Sequence, residues 1–171
     1  VGVVDESGFL KKGTHSVGVK RQYSGTAGKV ENCQMGTFLS YATRRGNVFL
    51  DRRLYLPEDW SADEPRRAQA IVPEQVRSQT KPEQAAEMLA HAWEQGISMR
   101  WAVGDEVYGE STPLRDTIRK HGRGYVLAGL AVTTFFRVQL CARFFRADTL
   151  LSNTALNSQL ISGVLQSKIV E

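Results

Sequence analysis

Asp5 closes the β-branched run Val1-Gly2-Val3-Val4, and Asp105 closes Met99–Gly104, so each acid ends a stretch of the kind found in buried strands. Two carboxylates brought within a few ångströms repel each other, and one is driven toward protonation unless a cation lies between them. A divalent metal removes that cost. Oxygen ligands suit Mg2+ or Mn2+, which bind through one or two carboxylates together with phosphate oxygens and water. Two such ions can activate an attacking oxygen and stabilise a leaving one in an in-line phosphoryl transfer. A single strand-end Asp is more often a turn or cap residue, so the pair acquires meaning only if the fold brings its members together.

Other motifs fit less well. Gly25-Thr26-Ala27-Gly28-Lys29-Val30 echoes a phosphate loop, but the spacing is short and no Ser or Thr follows the Lys. Gly13 and Gly18 have the right separation, yet Val19-Lys20 follows, which brings the Lys one position late. No Gly-x-Ser-x-Gly elbow is present. Cys33 and Cys141 make neither a disulfide framework nor a metal cluster, and His15, His91 and His121 have no ligand-like spacing. A reducing, cytoplasmic location is the expectation.

For the two acids to meet, strands must carry them side by side. Val1–Asp5 predicts the first strand, followed by a glycine-punctuated basic loop holding Lys11-Lys12-Gly13, Lys20-Arg21-Gln22-Tyr23-Ser24-Gly25 and Gly28-Lys29. Cys33–Ala42 reads as a strand, Thr43-Arg44-Arg45-Gly46 as a hairpin turn, and Val48–Leu56 as the returning strand. Pro57–Gln79 is acidic, proline-punctuated and aperiodic, and is expected to be an exposed connection. Thr80-Lys81-Pro82-Glu83 fits a capping box. Behind it Ala85, Met88, Leu89, Ala92 and Trp93 recur at helical spacing until Gly96. Met99–Val103 predicts a buried strand, Ser111 the cap of a helix over Pro113–Lys120, and Gly124–Leu127 a last strand. The tryptophans Trp60, Trp93 and Trp101 read as packing residues, and Asp51, Arg52 and Arg53 as a structural charge cluster.

That order predicts an α/β fold: a mixed sheet of three antiparallel strands, then alternating helix and strand, flanked by helices. It is the order of the ribonuclease H-like fold, in which acids at the ends of the first and fourth strands are neighbours. Asp5 and Asp105 occupy those places.

Composition agrees with a folded domain. The 171 residues are 42% hydrophobic and 23% charged, with no apolar run of the ~20 residues that a membrane span needs. The first residues have no basic region and no cleavage site, so no signal peptide is expected. Residues 1–56 hold nine Lys or Arg against four Asp or Glu, a net of +5, whereas the remainder is close to neutral. A basic excess gathered around Asp5 suits a phosphate backbone, although a solvated basic face has the same composition.

Six stretches carry a resemblance. Asp5-Glu6-Ser7-Gly8-Phe9-Leu10-Lys11-Lys12-Gly13, Ser16–Gly25 and Gly28–Gln34 resemble the first-acid region of bacterial DDE transposases, in the branch named after insertion sequence 701. Leu50–Pro57, Thr80-Lys81-Pro82 and Gly104-Asp105-Glu106-Val107-Tyr108-Gly109 are similar to that branch in the same order. Where the branch usually has Asp-Asp-Thr-Gly-Phe, this chain has Asp5-Glu6-Ser7-Gly8-Phe9. The resemblance implies DNA transposition by metal-dependent strand cleavage and strand transfer, with Asp5 and Asp105 as metal-binding acids for Mg2+ or Mn2+ in a two-metal site. It implies DNA as the partner, both element ends and target, with a homodimer or a full-length transposase as a further partner and a place at the nucleoid. It also implies that Lys11, Lys12, Lys20, Arg21 and Lys29 meet phosphates and that Tyr23 stacks on or bonds to a strand end.

The motif-level resemblance ends near Ala128. Residues 1–128 are therefore expected to be part of a catalytic domain, and 129–171 a divergent tail, the product of a frameshift or interruption. The family's third acid, a downstream Glu, has no counterpart at the expected place, and neither Asp148 nor Glu171 is expected to replace it. On this reading the chain is catalytically incomplete. Its rivals are an inactive DNA-binding remnant that blocks element ends or full-length transposase, and another two-carboxylate, metal-dependent phosphohydrolase.

Overall fold

Strand β1 (Gly2–Leu10) is longer than the run that ends at Asp5. A computed structural model describes residues 1–129 of the chain; Cys141, Asp148, Glu171 and, apart from Gly129, the proposed tail lie outside the described residues. β1 continues through Glu6-Ser7-Gly8 because it pairs along its whole length with β3 (Lys29–Thr43), antiparallel, from Gly2 opposite Tyr41 to Leu10 opposite Cys33. Cross-strand pairing overrides the low strand preference of an acidic, glycine-bearing stretch.

The basic region corrects the sequence reading. Lys20–Ser24 is not loop but strand β2, paired antiparallel with the start of β3 from Lys20 opposite Cys33 to Ser24 opposite Lys29. Only Ser24 of its five residues is buried, so no hydrophobic alternation marks it. The hairpin turn at Arg44-Arg45 is as expected: Thr43 stands opposite Gly46, and β4 (Gly46–Leu54) returns along β3. β2 and β4 thus follow one another along the edge of β3 that β1 leaves.

Pro57–Gln79 is also more ordered than its composition suggests. It holds two short helices, α1 (Glu58–Ala62) and α2 (Glu64–Gln69), and buries Trp60 completely. Helices of five and six residues are too short to display a period. One aromatic anchor suffices: Trp60 packs with Val19 and Leu56, and its indole N–H donates to the Val19 carbonyl at 2.8 Å.

The main core lies under α3 (Lys81–Glu94), whose capping box is formed in both directions between Thr80 and Glu83. Ala85, Met88, Leu89, Ala92 and Trp93 form its buried stripe, and Gly96 leaves the helix at φ +81°. Strand β5 (Trp101–Gly104), the single turn α4 (Glu106–Gly109), α5 (Thr112–Lys120) and β6 (Gly124–Leu127) complete the described residues. Val4, Leu39, Met99, Ala102, Tyr108, Leu114, Ile118 and Leu127 join the α3 stripe in one buried cluster. A buried polar link crosses this layer: Thr37 donates to Gln84 at 2.8 Å, and Gln84 donates to the Leu54 carbonyl at 3.0 Å.

The six strands form one sheet in the order β2-β3-β1-β5-β6, with β4 also on β3. β1 and β5 are parallel neighbours, as are β5 and β6. The architecture is the expected α/β, ribonuclease H-like mixed sheet flanked by helices, with β2 as an added antiparallel strand. No helix among the described residues is long and apolar enough to cross a membrane.

Candidate active site

The parallel pairing of β1 with β5 sets Val3 opposite Val103. Two residues further along each chain stand Asp5 and Asp105, so the register itself brings together acids that are far apart in sequence. Residues alternate across a strand. Val4 and Glu6 face α3, while Val3 and Asp5 face the opposite side, where Asp5 lies across from Phe38. β5 stops at Gly104 but β1 runs on to Leu10, which leaves a stretch of β1 edge where side chains from both of its faces can meet. There an oxygen of Asp5, one of Glu6 and one of Asp105 all lie within 4.8 Å of one another.

Backbone donors orient both aspartates. Asp5 accepts from its neighbour's amide, Glu6 N, at 2.8 Å, and Asp105 caps α4 by accepting from Val107 N at 3.0 Å. Burial, the largest influence, pushes the Asp5 carboxyl up to about 7, and the nearby Asp105 and Glu6 charges push the same way. Asp105 is raised too, first by burial and then by Glu6. Glu6 was not singled out by the sequence. Its Oε1 accepts from Lys81 Nζ at 2.6 Å and its Oε2 from the Tyr108 hydroxyl at 2.9 Å. Burial and the Glu6 carboxylate hold the Tyr108 phenol far above its ordinary range, so it stays a donor.

The donor set fits a divalent cation. Hard carboxylate oxygens converge, two of them on side chains whose charged forms are disfavoured, and a dication relieves both burial and mutual repulsion. Asp5 and Asp105 would hold it, because both oxygens of Glu6 already have partners.

Glycine at position 109 keeps the segment after Asp105 in place. A Cβ there would come within 1.5 Å of the Ala128 carbonyl oxygen, a backbone atom that cannot swing aside. Ala128 N in turn donates to the Gly104 carbonyl at 3.0 Å, so the chain after β6 touches both sides of Asp105.

The six candidate DNA-contact residues separate. Arg21 and Tyr23, opposite Asn32 and Val30, alternate onto the same sheet face as Asp5, and Tyr23 is 64% exposed. Lys20 and Lys29 belong to the other face, where Lys20 pairs with Asp59 at 3.1 Å and Lys29 with Glu31 at 2.9 Å. Lys11 and Lys12 lie just past β1, Lys12 exposed and Lys11 partly buried. Asn32 and Phe38 mark the levels of Arg21 and Asp5 on β3, so at ~3.4 Å per residue Arg21 sits roughly 20 Å along the sheet from the acids. Asp51 and Arg53 form an ion pair at 3.6 Å, as a structural charge cluster would.

A sequence profile described as DDE superfamily endonuclease matches residues 1–144, a span that passes Ala128. The probable transposase for insertion sequence element IS701 of Microchaete diplosiphon is 33% identical over 110 residues, which is 64% of this chain and 26% of the relative. The chain therefore spans about a quarter of the length of that curated relative. No solved structure matches it.

Proposed function

Since this chain belongs to the DDE superfamily endonuclease family, we propose that residues 1–128 are catalytic-domain sequence for DNA transposition by metal-dependent strand cleavage and strand transfer. Membership implies a divalent metal, and the all-oxygen donors favour Mg2+ or Mn2+. The observation that carries the reading is the β1–β5 register, which sets Asp5 beside Asp105 on one edge of the sheet.

In this reading Asp5 and Asp105 hold the metal, Lys81 keeps Glu6 neutralised, and Tyr108 supports the turn behind Asp105. When bound, the cation supplies activation of the attacking oxygen and stabilisation of the leaving one. DNA lies on the Asp5 face, with Arg21 and Tyr23 meeting it several base pairs from the acids. Lys11 and Lys12 add general attraction for the backbone, whereas Lys20 and Lys29, already paired, contribute less.

The test is nicking of DNA that carries the element's ends, in Mg2+ or Mn2+, by this sequence set within a full-length transposase. Asp5→Asn and Asp105→Asn should each abolish it, and nicking that survived both would overturn the assignment. DNA binding that weakens with salt but brings no nicking would assign the chain to the DNA-binding reading. Hydrolysis of small phosphate esters would instead favour a phosphohydrolase.

A further inference from the structure

Glu6 is the third carboxylate at the acid pair, yet neither of its oxygens is free. Lys81 Nζ donates to Oε1 at 2.6 Å and the Tyr108 hydroxyl donates to Oε2 at 2.9 Å. The Glu6 and Lys81 side chains are 15% and 21% exposed, so solvent screens this ion pair far less than one on the surface. To coordinate a dication, Glu6 would have to give up a charge-assisted bond to an ammonium already in place.

The three partners belong to three elements. Glu6 is on β1 next to Asp5, Lys81 opens α3, and Tyr108 is the buried residue of α4. Tyr108 N also donates to the Asp105 carbonyl at 3.2 Å, and the Asp105 carboxylate caps the same turn. The turn is thus joined to Asp105 at its start and to Glu6 through the Tyr108 hydroxyl. β5 ends at Gly104, so no ladder pairing with β1 extends to Asp105 itself. Among the described residues, the hydrogen bond that ties α4 to β1 beside the acids is Tyr108 to Glu6.

We propose that Glu6 is a positioning residue and not a metal ligand: held by Lys81 and Tyr108, it docks α4 on β1 and sets the separation of Asp5 and Asp105. The inference rests on the reading of those two aspartates as the metal-holding pair.

The experiment is Mn2+ binding to the full chain, followed by calorimetric titration and by the electron paramagnetic resonance signal of free Mn2+, without DNA. Asp5→Asn should lose binding. Tyr108→Phe removes a single hydroxyl and should weaken binding about tenfold, the usual effect of removing a group that orients a ligand. Glu6→Gln should weaken it similarly, because an amide offers one acceptor where two donors converge. The double variant should be no weaker than the worse single one, since both break the same link. Wild-type affinity in Tyr108→Phe would overturn the proposal, as would single losses that multiply in the double variant. A loss in Glu6→Gln as complete as in Asp5→Asn would make Glu6 a ligand and overturn it too. Absence of Mn2+ binding by the wild-type chain would instead defeat the Asp5–Asp105 reading, and the proposal with it.

Discussion

At Asp5 the fold works against its own charge. Burial raises the carboxyl from 3.8 to about 7, so between those values the metal-free folded state holds a proton that the unfolded chain releases. The folded state then binds more protons than the unfolded one, which means that stability falls as pH rises from about 4 and levels off above about 7. Asp105 shifts in the same direction and deepens the decline. Discounted for its partial solvent access, the Asp5 share is of the order of 2 kcal/mol. Thermal melts across this range should show the decline in wild type and a shallower one in Asp5→Asn, which becomes the more stable protein at pH 8. Millimolar Mg2+ should restore wild-type stability more at pH 8 than at pH 5 and leave Asp5→Asn little changed, because the metal needs the ionised carboxylate. The two aspartates were legible in the sequence because each ends an apolar run and stands in a family-like context. Glu6, Lys81 and Tyr108 were not. Lys81 reads as a residue of a capping box and Tyr108 as one residue of the family-like stretch Gly104–Gly109, and only the packing of α3 and α4 on β1 brings them to one carboxylate.

Among the elements, those with strong local signals matched their expected bounds. α3 has a capping box, a repeating apolar stripe and a glycine exit, and β6 spans Gly124–Leu127 as read. Replacing Thr80 by Ala should cost about 1 kcal/mol, seen as a lower denaturant midpoint with an unchanged slope. Elements that exist by tertiary pairing were hidden. β2 is a basic strand with one buried residue, α1 and α2 are too short for a period, and the second half of β1 has the composition of a loop. The burial that stabilises them points to its own test. Trp60→Ala should destabilise the protein by ~3–5 kcal/mol, far more than a residue in an exposed linker would, as denaturant titration can measure. Gly109→Ala should also be strongly destabilising, since the added methyl meets backbone and not a flexible side chain. Because that clash adjoins Asp105, Mn2+ affinity should fall along with stability.

For the whole molecule, charge is distributed in a way that composition alone does not reveal. The basic excess of the first third divides between two sheet faces, and ion pairs occupy part of it on the face away from Asp5. DNA affinity measured against salt should therefore lose about one unit of log–log slope in Arg21→Gln and less in Lys20→Gln or Lys29→Gln. Equal losses at all three positions would argue for a diffuse electrostatic surface over a directed one. The described residues belong to one compact unit, Val1–Leu130, and the way its last strand leaves that unit bears on the site. Ala128 bonds to Gly104 on one side of Asp105 and presses against Gly109 on the other. Tension on the chain beyond Ala128 would enter the fold at the two residues that bracket a metal-holding acid. A pull of that kind would load the turn that carries Asp105 together with its core neighbour Leu127, whereas Asp5, in the middle of a strand paired along its whole length with β3, would stay as the fixed reference.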